Sequence, residues 1–88
     1  MKIEIKKSFL KDIKKQKNYK LEQKVKEFLL NLQTKDDITQ IENLKKLSGF
    51  KNFYRIRLGD YRIGVYFEND ILYIVRCLHR KEIYKFFP

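Results

Sequence analysis

The sequence predicts one α+β domain in which an N-terminal strand and a helical hairpin pack on a small twisted antiparallel sheet. Three observations predict it. Apolar residues alternate with charged ones around Ile3 and Ile5, they recur at helical spacing over residues 19–33, and from residue 53 onward aromatic and β-branched residues concentrate between turn signals.

In chain order, Ile3 and Ile5 mark a short strand, and Ser8 is a good N-cap for a helix from Phe9 to Lys17. A second helix runs from Tyr19 to about Gln33. Leu21, Val25, Phe28, Leu29 and Leu32 form its apolar stripe, while Lys20, Glu22, Lys24 and Lys26 take the other side. Burying such a stripe is worth about 1.5 to 3 kcal/mol per large side chain, so these residues are assigned to the core and to no function. Asp36 and Asp37 are placed to cap a short third helical segment carrying Ile38, Ile41 and Leu44, which ends before Leu47-Ser48-Gly49. Turn signals at Gly59-Asp60 and Glu68-Asn69-Asp70 then divide a three-stranded meander of about 53–58, 61–67 and 71–78.

With 88 residues, the chain suits a single domain over 1–88 whose core is too small for a large internal ligand cavity. Its 43% hydrophobic content supports a packed globule despite 36% charged residues. The single cysteine, Cys77, has no intramolecular partner and lies in an apolar run, as expected of a reduced cytoplasmic protein. Charges interrupt Met1 to Lys7 where a signal peptide has its apolar stretch, and no segment approaches the roughly 18 apolar residues of a membrane span. No His, Asp or Glu cluster has ligand spacing, so neither a metal nor another cofactor is expected.

The formal net charge of +10 points to a polyanion or an acidic protein partner. Of the 21 basic residues, sixteen are lysine, yet all five arginines, Arg55, Arg57, Arg62, Arg76 and Arg80, fall in one stretch. The arginine fork grips phosphate or carboxylate with two parallel hydrogen bonds. If Gly59-Asp60 is a two-residue hairpin loop, Arg57 faces Arg62, Arg55 faces Gly64, and Tyr54, Ile56, Leu58, Tyr61, Ile63 and Val65 share the core side. The other side carries Phe53, Arg55, Arg57, Arg62, Gly64 and Tyr66. Like charges directly opposite on a sheet are destabilising, so a ligand is expected to reward them. Gly64 is expected to let a ligand backbone approach. Phe53 and Tyr66, with Tyr73, suit base stacking, which makes single-stranded RNA the leading partner. Arg76 stays open between two registers. A two-residue turn at Asn69-Asp70 puts it on the core side near Ile63, and a three-residue turn puts it on the basic side. After the last strand come His79, the only histidine and a candidate acid or base, then Arg80, Lys81 and Tyr84.

Over Leu47-Ser48-Gly49-Phe50 through Tyr54-Arg55-Ile56-Arg57-Leu58-Gly59-Asp60-Tyr61-Arg62-Ile63, and again over His79-Arg80-Lys81-Glu82-Ile83-Tyr84, the sequence resembles the RelE/ParE toxin superfamily. The resemblance implies a bacterial or archaeal type II toxin held inactive by an antitoxin, and the +10 charge makes an acidic antitoxin segment the expected partner. In the RelE branch it implies an endoribonuclease, or mRNA interferase, that cleaves mRNA in the ribosomal A site without metal. It makes Arg55, Arg57, Arg62, Arg80 and Tyr84 the catalytic set, with His79 as a further candidate for proton transfer. Phe53, Gly64, Tyr66, Arg76 and Lys81 are the expected RNA contacts. Arginine does not deprotonate, so Arg55 and Arg57 stabilise charge and leave proton transfer to His79 or Tyr84, or the mechanism to electrostatics and RNA held in an in-line geometry, with the base unassigned. The alternative is the ParE branch, a non-enzymatic inhibitor of DNA gyrase.

Overall fold

In the computed structural model, which describes residues 1–88, the chain runs β1 (Lys2–Ile5), α1 (Lys7–Gln16), α2 (Tyr19–Leu32), a 3-10 turn (Ile38–Gln40), β2 (Leu44–Lys46), β3 (Phe53–Leu58), β4 (Tyr61–Glu68), β5 (Ile71–His79) and α3 (Ile83–Phe86). The five strands form one sheet in the order β1-β5-β4-β3-β2. All neighbours are antiparallel except β1, which lies parallel to β5. No helix is long and apolar enough to cross a membrane.

The hairpin register is the one the two-residue loop requires, with Arg57 opposite Arg62, Arg55 opposite Gly64 and Tyr54 opposite Val65. Gly59, at φ 62°, supplies the positive φ that such a loop needs at its first position. At the next hairpin Asn69 and Asp70, both at positive φ, form the two-residue turn that pairs Glu68 with Ile71. Neither register expected for Arg76 continues unbroken from there. Val65 pairs with Ile74, but Gly64 pairs with Arg76, so Val75 is an extra residue on β5. Past this bulge Arg76 stands on the face opposite the helices and Cys77 points into the core.

The stripe of α2 forms as its spacing predicts. Leu21, Val25 and Leu32 are buried with Phe9, Ile41, Ile56, Ile63, Val65, Leu72, Ile74 and Cys77, and Phe28 and Leu29 pack at the margin. Asn18, absent from the sequence expectations, caps α2 by accepting from Leu21 N. Ser8 is not an N-cap. The helix begins at Lys7, and the Ser8 hydroxyl donates to Val75 O on β5.

That bond belongs to a pattern. β1 covers the β5 edge only as far as Ile74, and α1 covers it from there, with side chains one turn apart. Ser8 donates to Val75 O, Asp12 accepts from Cys77 N at 3.0 Å, and Gln16 donates to Cys77 O at 2.9 Å. An exposed strand edge is thereby closed by polar side chains of a helix.

The third helical segment is also corrected. Asp37 precedes only the 3-10 turn and makes no side-chain cap, and Asn43, at φ 63°, redirects the chain. Leu44 then opens the edge strand β2, with Lys45 opposite Arg55.

The outer face of the sheet is not fully solvated, because Leu47, Ile83 and Phe87 form a second, smaller core there with Phe53, Val75 and Leu78 at its margin. Gly64 explains the seat of Phe87. A Cβ on Gly64 would meet the Phe87 ring at 2.7 Å, so the close approach expected of a ligand is made by the chain's own C-terminal segment.

Candidate functional site

On that outer face, beside the seat of Phe87, Asn43, Leu44, Lys45, Arg55, Arg57, Arg62 and Tyr84 line a cleft of about 510 Å³. β2 contributes Lys45, β3 contributes Arg55 and Arg57, β4 contributes Arg62, and α3 lays Tyr84 across the opening. Alternation fixes the three arginines on this face, and the pairing of Lys45 with Arg55 brings a fourth cation beside them.

None of the ion pairs in the protein involves these four cations. The pairs are Met1 with Asp70, Arg76 with Asp12, and Lys85 with Glu82. Arg62 is steadied by donating to Gly59 O and Tyr61 O, both at 2.9 Å. Arg55 lies over the Tyr84 ring, its guanidinium carbon 4.3 Å from the centroid. Polar contact with Arg55 and the charge of Arg55 hold the Tyr84 phenol below its ordinary value against an opposing desolvation, with Lys45 and then Arg62 adding to the lowering. Tyr84 remains 74% exposed, so its oxygen is open to a substrate proton. The cleft therefore offers concentrated positive charge for an anion and one phenol that ionises more readily than a free tyrosine.

The other expected site residues lie elsewhere. His79 pairs with Tyr61 on the helix side of the sheet, their rings 5.5 Å apart, and its Nδ1 accepts from Lys81 N. It does not line the arginine cleft. Arg80 stands in the turn after β5 with its N–H donated to Asp60 O, and Lys81 is exposed in the same turn. Arg76 gives its guanidinium to Asp12, from Nε at 2.8 Å and Nη2 at 3.0 Å, so it is held by the protein rather than left for a ligand. Phe53 and Tyr66 share the outer face but lie across Phe87 from the cleft, with Phe53 packed on Phe87 at 5.6 Å and on Tyr66 at 4.8 Å. Burial, with the Asp12 charge adding to it, pushes the Cys77 thiol up to about 12, so it is no nucleophile. No group of three or more His, Cys, Asp or Glu side chains is placed to hold a metal ion.

Sequence reasoning missed Lys45 and Asn43. The signal was present in Asn43, a residue that tolerates positive φ, standing just before Leu44-Lys45-Lys46.

Comparison with known proteins adds four findings. A sequence model of the family described as ParE toxin of type II toxin-antitoxin system, parDE, matches residues 3–84. The chain is 36% identical over 89 residues to Toxin RelE3 of Methanocaldococcus jannaschii, covering 100% of both. Its structure resembles the RelB-RelE antitoxin-toxin complex from Methanococcus jannaschii, with a TM-score of 0.80 and 34% identity over 97% of this chain and 99% of that one. The fold alone is shared with YafQ from E. coli, at a TM-score of 0.70 and 22% identity over 93% and 96% of the two chains.

Proposed function

Because the chain belongs to the RelE/ParE superfamily of type II toxin-antitoxin toxins, on its RelE-like side, we propose that it is an endoribonuclease that cleaves mRNA in the ribosomal A site and so inhibits translation. The observation that carries this reading is the cleft where Lys45, Arg55, Arg57 and Arg62 face one another without a carboxylate, beside Tyr84. In such a site the RNA phosphate enters among the cations, and the adjacent 2′-hydroxyl attacks phosphorus as the 5′-oxygen leaves. The guanidinium groups stabilise the charge gathering on the phosphoryl oxygens. Tyr84, as phenolate, takes the 2′-hydroxyl proton, a role arginine cannot fill, and a proton from water or from the Tyr84 phenol so formed goes to the departing 5′-oxygen, leaving a 2′,3′-cyclic phosphate. An acidic antitoxin segment is the natural cover for the same cations, and the RelE of similar structure is seen in complex with its antitoxin RelB.

The deciding experiment adds the protein to translating ribosomes with end-labelled mRNA, and in parallel to a gyrase supercoiling assay. Cuts within codons are expected. Intact RNA with inhibited supercoiling would establish the gyrase-directed alternative instead.

The pH profile tests the base. Since Tyr84 is shifted downward, cleavage should rise with pH along a limb whose midpoint lies below the ordinary tyrosine value of about 10. Tyr84→Phe should remove that limb, whereas His79→Gln should leave it in place.

A further inference from the structure

We propose that the sheet face carries a second nucleotide subsite across Phe87 from the arginine cleft, where Tyr66 and Tyr73 stack a base of the same RNA strand and Lys6 meets its phosphate. This rests on the RNA reading of the cleft and extends it to the flanking nucleotides.

The rung Phe53-Tyr66-Tyr73 crosses β3, β4 and β5 on the outer face, in register. Its rings form a continuous row, with Phe53 4.8 Å from Tyr66 and Tyr66 6.0 Å from Tyr73. Lys6 ends the row with its ammonium over the Tyr73 ring, 5.0 Å from the centroid, on a flexible stem that swings aside to a phosphate when a base takes that face. Together with Glu68 and Val75 these residues line a hollow of about 530 Å³. Phe53 is already sandwiched by Phe87 and Tyr66, so the half-buried tyrosines are the rings left to receive a base.

Glu68 is the one acidic group of the hollow. Its carboxylate accepts from the Tyr66 hydroxyl at 2.7 Å, which fixes the edge of the ring and leaves its face for stacking. Arg57 lies four positions along β3 from Phe53, about 13 Å at the rise of a strand, a distance a short run of nucleotides spans. Phe87 stands between as a divider over Gly64. A cationic channel followed by aromatic platforms is how single-stranded nucleic acid is held without sequence readout.

The test measures equilibrium binding of fluorescent oligouridines to the full chain. One oligouridine is long enough to cover both halves of the face, and one covers the cleft alone. Tyr73→Leu keeps the bulk of the side chain and is checked by thermal unfolding; it should weaken the long RNA by about fivefold to a hundredfold, the cost of one lost stack, and leave the short one unchanged. Tyr73→Phe should restore the long RNA. An abasic site at the flanking position should weaken binding to the unaltered protein by a similar factor and have little further effect on Tyr73→Leu. Arg57→Ala should weaken both lengths. If Tyr73→Leu binds the long RNA as tightly as the unaltered protein while Arg57→Ala does not, the second subsite is overturned and the cleft stands. If neither variant weakens either RNA, both fall together. If Tyr73→Leu instead loosens the antitoxin complex and leaves RNA binding alone, the aromatic row serves a protein partner and the proposal is wrong.

Discussion

Arg57→Ala is expected to lower single-turnover cleavage on programmed ribosomes by on the order of a hundredfold or more, as when one preorganised donor is taken from an oxyanion site. Its melting temperature should stay where it was. Arg57 is exposed, forms no ion pair, and faces Arg62, so truncation removes a like-charge contact from the free protein. A residue that only packs would behave the other way, losing stability while the folded fraction turned over normally. Thermal unfolding beside cleavage on the same preparations separates the two. An unstable variant with intact turnover would move the catalytic charge away from this strand.

Asp12→Ala should have the opposite signature. The carboxylate accepts two hydrogen bonds from Arg76 and one from Cys77 N, and its side chain is only 9% exposed. Removing it strands a buried N–H and leaves the Arg76 guanidinium without its anion. Breaking a buried pair by deleting one partner costs about 3 to 5 kcal/mol; Arg76 keeps 26% exposure and so retains some hydration, which sets the expectation near the lower figure. For a domain of this size that is a fall in melting temperature of roughly 12 to 24 °C. Asp12→Asn should lose less, because its amide oxygen can still accept from Cys77 N. Cleavage by the folded fraction should stay near normal, since Asp12 does not line the arginine cleft. A melting temperature for Asp12→Ala within a few degrees of the parent would mean that α1 does not hold the β5 edge through this carboxylate.

The two predictions rest on features of unequal legibility. Arg55, Arg57 and Arg62 could be placed on one face from sequence because a two-residue loop fixes the register and alternation does the rest. The stripe of α2 was equally plain, since an apolar period of that length has few other readings. Asp12 gave no such signal. On sequence it is one charge among many in a lysine-rich helix, and its partners lie 64 and 65 positions away. Lys45 was hidden for a different reason. Leu44 falls three residues after Ile41, and that spacing imitates a helix where the chain in fact turns at Asn43 into an edge strand. Gly64 was read correctly as a place of close approach and wrongly as to what approaches, because local sequence does not reveal that Phe87 returns to sit on it.

The extra residue in β5 acts as a parity switch on everything that follows it. With Val75 absorbed outside the ladder, Cys77 is sealed in the core, Arg76 reaches round to Asp12, and His79 lies against Tyr61 on the helix side. In an unbroken ladder each of these would be inverted. Arg76 would be driven among the apolar residues beneath the sheet, the thiol would stand opposite Arg62 on the cationic face, and the imidazole would emerge on the side of Tyr84. One unpaired residue thus decides whether the histidine joins Tyr84 on the surface the arginines share, and it decides this without the histidine changing its place in the sequence.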